Sequence, residues 1–226
     1  MSIDALMKGT DYSATPAEVN LRSLMGGLLL ADWRQAMIAR GYGWNVTVGT
    51  LSTGIVGGGA GTVLDLDQPE FILGVPANYA LIPLDFHIQV NPGIQTTDSH
   101  VTEALIAVDR TQTFDSTGTF TAETPLNLRT NNSTGCPIVC GSAFTADTTD
   151  PVLSFELMRN EALTDVQGTA ATVNLYQFRL DYEPKNPPII IGPAMVVGYW
   201  GGSIAATGYA QLNFLAFASS LVKDLA

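Results

Sequence analysis

The C-terminal stretch Pro187–Ser219, PPIIIGPAMVVGYWGGSIAATGYAQLNFLAFAS, contains three apolar runs that are separated by turns. The runs are Ile189–Ile191, Ala194–Trp200 and Tyr209–Phe217, and Gly or Pro lies between them. Continuous apolar runs of this length, bounded by Gly and Pro, are typical of short strands that are buried on both faces. The stretch therefore predicts three sequential strands in a β-rich core.

The last of these runs changes character along its length. Its polar residues Gln211 and Asn213 belong to one face of an alternating strand, and the same face becomes apolar at Leu215 and Phe217. Side chains of a strand point alternately to its two faces. The pattern predicts a strand that leaves a wetter rim and enters a packed interior.

A Pro-rich strand, a strand that ends in the aromatic pair Tyr199 and Trp200, a loop of small residues and a final aromatic-rich strand follow one another here. This order resembles the closing strands of viral jelly-roll capsid proteins, and the resemblance extends over roughly residues 42–217. It implies an eight-stranded jelly roll and a coat subunit that self-assembles into the icosahedral shell of a virion.

The composition favours a chain that assembles with partners. The 226 residues suffice for one domain with an extension, and 46% of them are hydrophobic while only 14% are charged. Soluble monomers carry about 25% charged residues. There is no run of 18 apolar residues and no signal-peptide pattern at the N-terminus, so neither a transmembrane helix nor secretion is expected. We therefore expect an obligate assembly.

The net charge of −11 is unevenly distributed. Residues 1–40 sum to zero, so the whole of it lies in residues 41–226. Without a basic arm or patch, direct electrostatic binding of nucleic acid is disfavoured. For a coat protein this is a departure from coats that condense RNA. It favours filling of a preformed shell, contact with an internal membrane, or other capsid proteins that bind the genome.

The segment before residue 42 has the pattern of a helix. Thr15 at the N-cap, Pro16 at the first helical position and Glu18 form a capping box, and Gly41 is placed as a C-cap. The apolar stripe between them is Leu21, Leu24, Met25, Leu28, Trp33 and Met37. We predict a helical extension over residues 1–41, with helix across 16–40 and a kink at Gly26-Gly27, before a jelly-roll domain at 42–226. The extension either docks under a neighbouring subunit or on an internal membrane, or covers its own barrel.

From Tyr42 onward the hydrophobic period changes to two. The predicted strands are 44–48, 62–66, 71–73, 79–91, 102–108, 152–158, 171–182 and the three C-terminal runs, with a short apolar piece at 136–140. The predicted loops are residues 160–169 and the polar stretches at about 92–100 and 111–134. The two polar stretches are expected to face outward. Because no helix alternates with these strands, the chain predicts an all-β sandwich or barrel, and an eight-stranded jelly roll fits its length.

Two local features refine this fold prediction. In the 79–91 strand one face is apolar throughout, and Pro83 indicates an edge position or a bulge. The glycine-rich segment 54–61, GIVGGGAG, lacks the Gly-Lys-Ser/Thr of a phosphate loop and the helix that follows a dinucleotide fingerprint. It predicts a flexible or tightly turning connection.

No catalytic constellation is evident, so we predict that the chain is not an enzyme. Ser203 lacks the second glycine of a nucleophile elbow, and Asp98, Ser99 and His100 are adjacent in sequence without the spatial convergence that a triad needs. His87 falls on the polar face of a strand, which predicts a surface or interface histidine.

Carboxylates and cysteines are the candidate metal ligands of this sequence. Asp65, Asp67 and Glu70 cluster near a turn, as do Asp147 and Asp150. Solvated turn carboxylates are the main interpretation, and Ca²⁺ ligands are the alternative. The resemblance to capsid proteins implies that such an ion would lie at a subunit interface. Cys136 and Cys140 are the only cysteines, and neither they nor the two histidines have the spacing of a zinc site. They are expected to be buried free thiols.

Two other functions compete with the coat subunit. A trimeric jelly-roll module that binds carbohydrate or a receptor, of the spike or tip type, would expose aromatic side chains, for which Tyr199 and Trp200 are the candidates. We expect both to be packed. A cupin-type enzyme would need several converging histidines, whereas this chain has two, at distant positions.

Overall fold

The computed structural model describes residues 33–50, 52–58, 64–91, 100–110, 120–131, 135–144, 152–164, 178–202 and 206–223, together with four two-residue strands before residue 30. The elements in chain order are β1 Met7–Lys8, β2 Glu18–Val19, β3 Ser23–Leu24, β4 Gly27–Leu28, α1 Trp33–Ala39, β5 Gly43–Val48, β6 Ile55–Val56, β7 Phe71–Val75, β8 Tyr79–Asn91, β9 His100–Asp109, β10 Thr121–Glu123, β11 Leu126–Asn127, β12 Val139–Ser142, β13 Leu153–Thr164, β14 Phe178–Tyr182, β15 Ile190–Ile191, β16 Ala194–Gly202, β17 Thr207–Ala218 and α2 Ser220–Lys223.

These strands form an all-β sandwich of two antiparallel sheets, as the sequence predicts. The six-stranded sheet has the order β10-β12-β7-β16-β9-β13. The seven-stranded sheet has the order β11-β5-β17-β8-β14, with β15 added beside β8 and β6 beside β17. The three C-terminal strands are confirmed as β15, β16 and β17.

One large hydrophobic core fills the space between the sheets. Both sheets contribute to it, with Phe71 and Trp200 from the six-stranded sheet and Phe86, Leu212 and Phe214 from the seven-stranded sheet. All five side chains are completely buried. Burial of large aromatic and aliphatic side chains is the main stabilising contribution to such a fold.

The six-stranded sheet is also covered on its outer face. Leu105 of β9 and Val197 and Tyr199 of β16 form a second buried cluster with Leu64 and Phe144, which lie outside the strands. Alternate residues of β16 therefore enter different cores, because the side chains of a strand alternate between its faces.

The prediction of burial on both faces is confirmed for the run Ala194–Trp200. It is wrong for the run Ile189–Ile191, whose first and last residues are 49% and 40% exposed, and for the start of the last run, where Gln211 is exposed.

In the part of the chain that the structure describes, the outer face of the seven-stranded sheet is covered at one end. There, Leu215 and Phe217 of β17 pack with Ile82 of β8 beneath Met37 and Ile38 of α1. The polar-to-apolar change along β17 thus follows the edge of this helix, rather than an entry into the space between the sheets. Helix α1 covers its own sheet, one of the two alternatives for the extension.

The N-terminal helix is shorter than predicted. It is described only at Trp33–Ala39, and Gly41 ends it with a φ of 89°, in agreement with the predicted C-cap. Glu18–Val19, Ser23–Leu24 and Gly27–Leu28 lie in two-residue strands instead, so helix is wrong for these residues. The Gly26-Gly27 pair lowers helix propensity, and Gly27 pairs with Leu24 of β3. The rest of 16–32 lies outside the described residues.

A bulge in β8 changes which of its side chains are buried inside. The pairing with β17 shifts between Asn213 and Phe214, which face Asp85 and Pro83. Leu81 therefore lies in the central core with Phe86, whereas the predicted single alternation placed them on opposite faces. Pro83 is confirmed at a bulge, where its missing N–H is tolerated.

Two further strand predictions are wrong in extent. Residues 64–66 of the predicted strand 62–66 are not in a strand, because this segment crosses the outer face of the six-stranded sheet instead of pairing. Strand β13 continues to Thr164, into the predicted loop at 160–169, because it pairs with β9 along its whole length. Residues 171–177 of another predicted strand lie outside the described part of the chain.

Candidate assembly surface and ionisable clusters

Five exposed apolar side chains lie at one end of the sandwich, and we call them the apolar rim: Val139, Val152, Ile189, Ile191 and Leu221. Each of these five residues is between 40% and 53% exposed. A single exposed apolar residue is ordinary, whereas grouped ones mark interaction surfaces.

The strand registers place these residues at the same end. This end is the one where β7 ends and β8 begins, and we call it the β7–β8 end. Val139 pairs with Gly74 near the end of β7. Strand β15, which contains Ile191 and directly follows Ile189, pairs with the start of β8. Val152 precedes β13, whose first residue pairs with the end of β9, and Leu221 lies in α2, directly after β17.

Val56 provides a contrast at the opposite end. It lies in β6, which pairs with Thr207 and Gly208 at the start of β17, and it is 61% exposed. We call this the β16–β17 end. Trp33 on α1 and Leu126 on β11 are the other large exposed apolar residues in the described part of the chain. They lie on the seven-stranded sheet's side of the molecule.

Polar side chains form a hydrogen-bonded row on the uncovered part of the seven-stranded sheet. The Asn45 amide donates to Asn213 Oδ1 at 2.7 Å, and the Asn213 amide donates to Asp85 Oδ1 at 2.6 Å. These contacts cross three neighbouring strands, β5, β17 and β8. They link the strands where α1 does not reach.

His87 continues this row toward β14. Its Nδ1 lies 2.6 Å from Asp181 Oδ1, and its Nε2 lies 3.6 Å from Asp85 and 3.7 Å from Glu183. Arg179 Nε also donates to Asp181 Oδ1, at 2.7 Å. Burial acts to raise the pKa of Asp181, but the hydrogen bonds from His87 and Arg179 outweigh it and lower this pKa. His87 is thus a partly exposed surface histidine, as predicted.

Glu70 lies at the β16–β17 end and differs from the turn carboxylate that the sequence predicts. Only 3% of it is exposed. Its Oε1 accepts the Gly58 N–H at 2.6 Å, and its Oε2 accepts the Trp200 N–H at 2.8 Å. Burial raises its pKa well above the ordinary value. A single carboxylate directly before the apolar strand FILGV was the signal in the sequence for this burial.

The remaining acidic candidates do not form a metal site in the described residues. Both Glu70 oxygens are occupied by backbone N–H groups, and Asp65 acts on Glu70 as a neighbouring negative charge. No group of three or more His, Cys, Asp or Glu side chains is arranged to hold a metal ion within the ranges that the structure describes. Asp147 and Asp150 lie outside those ranges.

Of the other candidates for catalytic chemistry, the two histidines lie in the described residues, and they belong to different sheets. Asp98, Ser99 and Ser203 lie outside the described residues. His100 begins β9 in the six-stranded sheet, whereas His87 lies in β8 of the other sheet. Tyr199 and Trp200 are 1% and 0% exposed, which confirms the expectation that they are packed. In this structure neither side chain is accessible to a ligand at the surface.

Cys136 and Cys140 are free thiols, as predicted. Cys140 is buried and Cys136 is half-buried. Burial raises the pKa of Cys136 to about 11 and raises that of Cys140 further. The thiolate is the nucleophilic form of cysteine, so both side chains are unreactive at neutral pH.

An ion-pair cluster lies on the edge strand β13. Arg159 contacts Glu103 of β9, and its Nη2 lies 2.7 Å from Glu156. The hydrogen bond from Arg159 lowers the pKa of Glu156. Charged side chains on an edge strand oppose unwanted pairing with further strands.

Comparisons with known proteins add no family to this description. No protein-family model, no curated protein and no solved structure matches the chain. Among the described residues, no helix has the length and apolar character that a membrane span requires.

Proposed function

We propose that this chain is a structural coat subunit that self-assembles into an icosahedral virion shell, built on an eight-stranded jelly roll. The single observation that carries the assembly proposal is the grouping of the apolar rim at the β7–β8 end. The order of strand pairing supports the jelly roll.

Eight strands in the described part of the chain have five residues or more: β5, β7, β8, β9, β13, β14, β16 and β17. Numbered one to eight in this order, they form the antiparallel pairs 1–8, 2–7, 3–6 and 4–5. The two numbers of each pair sum to nine, as expected when a long antiparallel hairpin is folded over into two sheets. This order of pairing is the one expected of two Greek keys in a jelly roll, and it supports that part of the proposal.

The apolar rim supports contacts between copies. Complete burial of a Val, Ile or Leu side chain contributes about 1.5–3 kcal/mol before the cost of association. Every subunit of a closed shell repeats the same contacts, so modest burial at each rim adds over the whole assembly. The low charged fraction of 14% favours the same reading, because few charges then need to be desolvated.

The test compares the rim with the opposite end of the sandwich. We expect the purified full chain to form shells or capsomers, seen by electron microscopy and sedimentation velocity. Replacing Ile191→Lys together with Leu221→Lys places charges in the contacts and should leave small species. The single variants Ile191→Lys and Leu221→Lys should each weaken assembly, and the control Val56→Lys, which adds the same single charge at a more exposed apolar position, should assemble as the unchanged chain does.

Two results would overturn the proposal. A chain that remains a monomer at every concentration tried is not a shell subunit. Assembly that Val56→Lys abolishes and the rim variants leave intact would place the contacts at the β16–β17 end instead. A discrete trimer that binds glycans would favour the spike-type module.

A further inference from the structure

Glu70 joins three segments of the chain at the β16–β17 end. Its backbone is fixed, because its N–H donates to Gly198 O at 3.0 Å and its carbonyl accepts the Ala143 N–H at 3.1 Å. Its buried side chain accepts N–H groups from Gly58 and Trp200, through a different oxygen in each case. One carboxyl group therefore connects residues 55–58 to the six-stranded sheet.

The 55–58 segment lies directly against Trp200. The Trp200 indole N–H donates to Ile55 O at 3.1 Å, and the Gly57 N–H donates to Ala206 O at 2.8 Å. A Cβ added at Gly57 would lie 2.1 Å from Trp200 O, so only glycine fits this approach. The segment predicted as a flexible or turning connection is, at these residues, closely packed over a completely buried indole.

The surroundings of Glu70 oppose a negative charge. Burial is the largest influence on its pKa and raises it, and Asp65 raises it further. The N–H groups of Gly58 and Trp200 lower it, but by less. The 55–58 segment and strands β7 and β16 contain no charged residue, so Asp65, in the turn before β7, is the charged neighbour that acts on this carboxyl group.

We propose that Glu70 is a proton-dependent switch for the 55–58 segment. While the carboxyl group is protonated, the segment stays closed over Trp200. When the proton leaves to water, the carboxylate moves toward solvent, its two N–H contacts break, and the segment opens and uncovers the indole. The switch is independent of shell assembly, because it lies at the end opposite the apolar rim.

The direction of the pH dependence follows from linkage. A group whose pKa is raised in the closed state stabilises that state fully below its ordinary pKa, which is 4.5 for this carboxyl group. This stabilisation is lost as the pH rises from that value through the raised pKa. Over this interval the fraction of open segment increases about tenfold per pH unit and then becomes constant.

Amide hydrogen exchange of the full chain between pH 4 and 9 tests the switch. Protection factors, which remove the intrinsic pH dependence of exchange, are compared for Gly57, Gly58 and Leu212 of the central strand β17. We expect protection of the two glycines to fall about tenfold per pH unit above pH 4.5 and then level off. It should stay below the protection of Leu212 throughout, because the segment opens without global unfolding.

Two variants make the test specific. Glu70→Gln cannot ionise, so its glycine protection should not change with pH, whatever its baseline. Asp65→Asn removes the neighbouring negative charge and should move the levelling-off to lower pH, and it remains informative if Glu70→Gln does not fold. Constant protection in the unchanged chain, pH dependence that persists in Glu70→Gln, or equal protection of Gly58 and Leu212 at every pH would each overturn the switch.

Discussion

The outer faces of the two sheets carry different side chains, although their inner faces share one core. On the six-stranded sheet the outer face is apolar where Leu64 and Phe144 of the same chain cover it, and it carries the ion pairs of Arg159 at the β13 edge. Among the described residues, the outer face of the seven-stranded sheet is apolar beneath α1 and otherwise presents the row from Asn45 to Asp181. The difference follows from what covers each face, because a face that the chain itself buries needs no polar side chains for hydration.

The sharpest way to test this difference is truncation on the two outer faces. Leu105→Ala should lower the free energy of unfolding by about 2–5 kcal/mol, because the completely buried side chain leaves a cavity under the covering segments. Gln211→Ala, at an exposed position on the other outer face, should change it by less than about 0.5 kcal/mol. Urea unfolding below the assembly concentration measures both.

Equal costs for these two variants would contradict the contrast. If both costs are small, segments 64–66 and 144 do not exclude water from Leu105. If both costs are large, the polar face is covered as well, by residues outside the described ranges or by another molecule.

Two glycines of the six-stranded sheet allow its two faces to be tested separately, because Gly198 faces the core between the sheets and Gly74 faces outward. A Cβ at Gly198 would lie 1.9 Å from the ring of Phe71, whereas the nearest atom to a Cβ at Gly74 is 3.6 Å away, in Val139. Gly198→Ala should therefore cost about 1–3 kcal/mol through overpacking of the core between the sheets. Gly74→Ala is the control and should be nearly neutral, since neither glycine has a positive φ in this structure.

The thermal unfolding midpoint is sufficient to compare these two glycine variants. A similar decrease for both would show that loss of strand glycine itself, rather than contact with Phe71, determines the cost. A decrease for Gly74→Ala alone would contradict the register that places Gly198 opposite Phe71.

The sequence predicted the fold class and the positions of most strands, because period-two alternation and Gly/Pro boundaries are local signals. It did not predict the bulge at Pro83 as the point where β8 exchanges its faces, since a bulge is fixed by the pairing with β17. The 64–66 segment was taken for a strand because an apolar segment that covers a sheet has the same composition as one that pairs in it.

The ionisable clusters were harder to predict from the sequence than the strands. His87 was placed on a polar face correctly, but its contact with Asp181 joins residues 94 positions apart. Glu70 was grouped with the turn carboxylates beside it, and its burial depends on the glycines that close over it. The apolar rim likewise collects residues from four separate parts of the chain, and only the strand registers bring them to one end.

The smallest effect concerns the polar row of the seven-stranded sheet. Asp181→Asn removes a charge that contacts His87 and Arg179, and it should lower the free energy of unfolding by less than about 1 kcal/mol, because the side chain is 42% exposed and solvent screens the pairs. The pKa of Asp181 is lowered in the folded protein, so its contribution is present above the ordinary value of 3.8 and disappears as the pH falls through the lowered value.

The difference in stability between the unchanged chain and Asp181→Asn should therefore be seen at pH 6, decrease as the pH falls below 3.8, and vanish in strong acid. Glu183→Gln, 3.7 Å from His87 and 64% exposed, is the matched control and should have a smaller effect. If the Asp181 difference persists in strong acid, the carboxylate acts by packing rather than by charge. Packing would then stabilise the outer faces of both sheets, although one face is apolar and the other is polar.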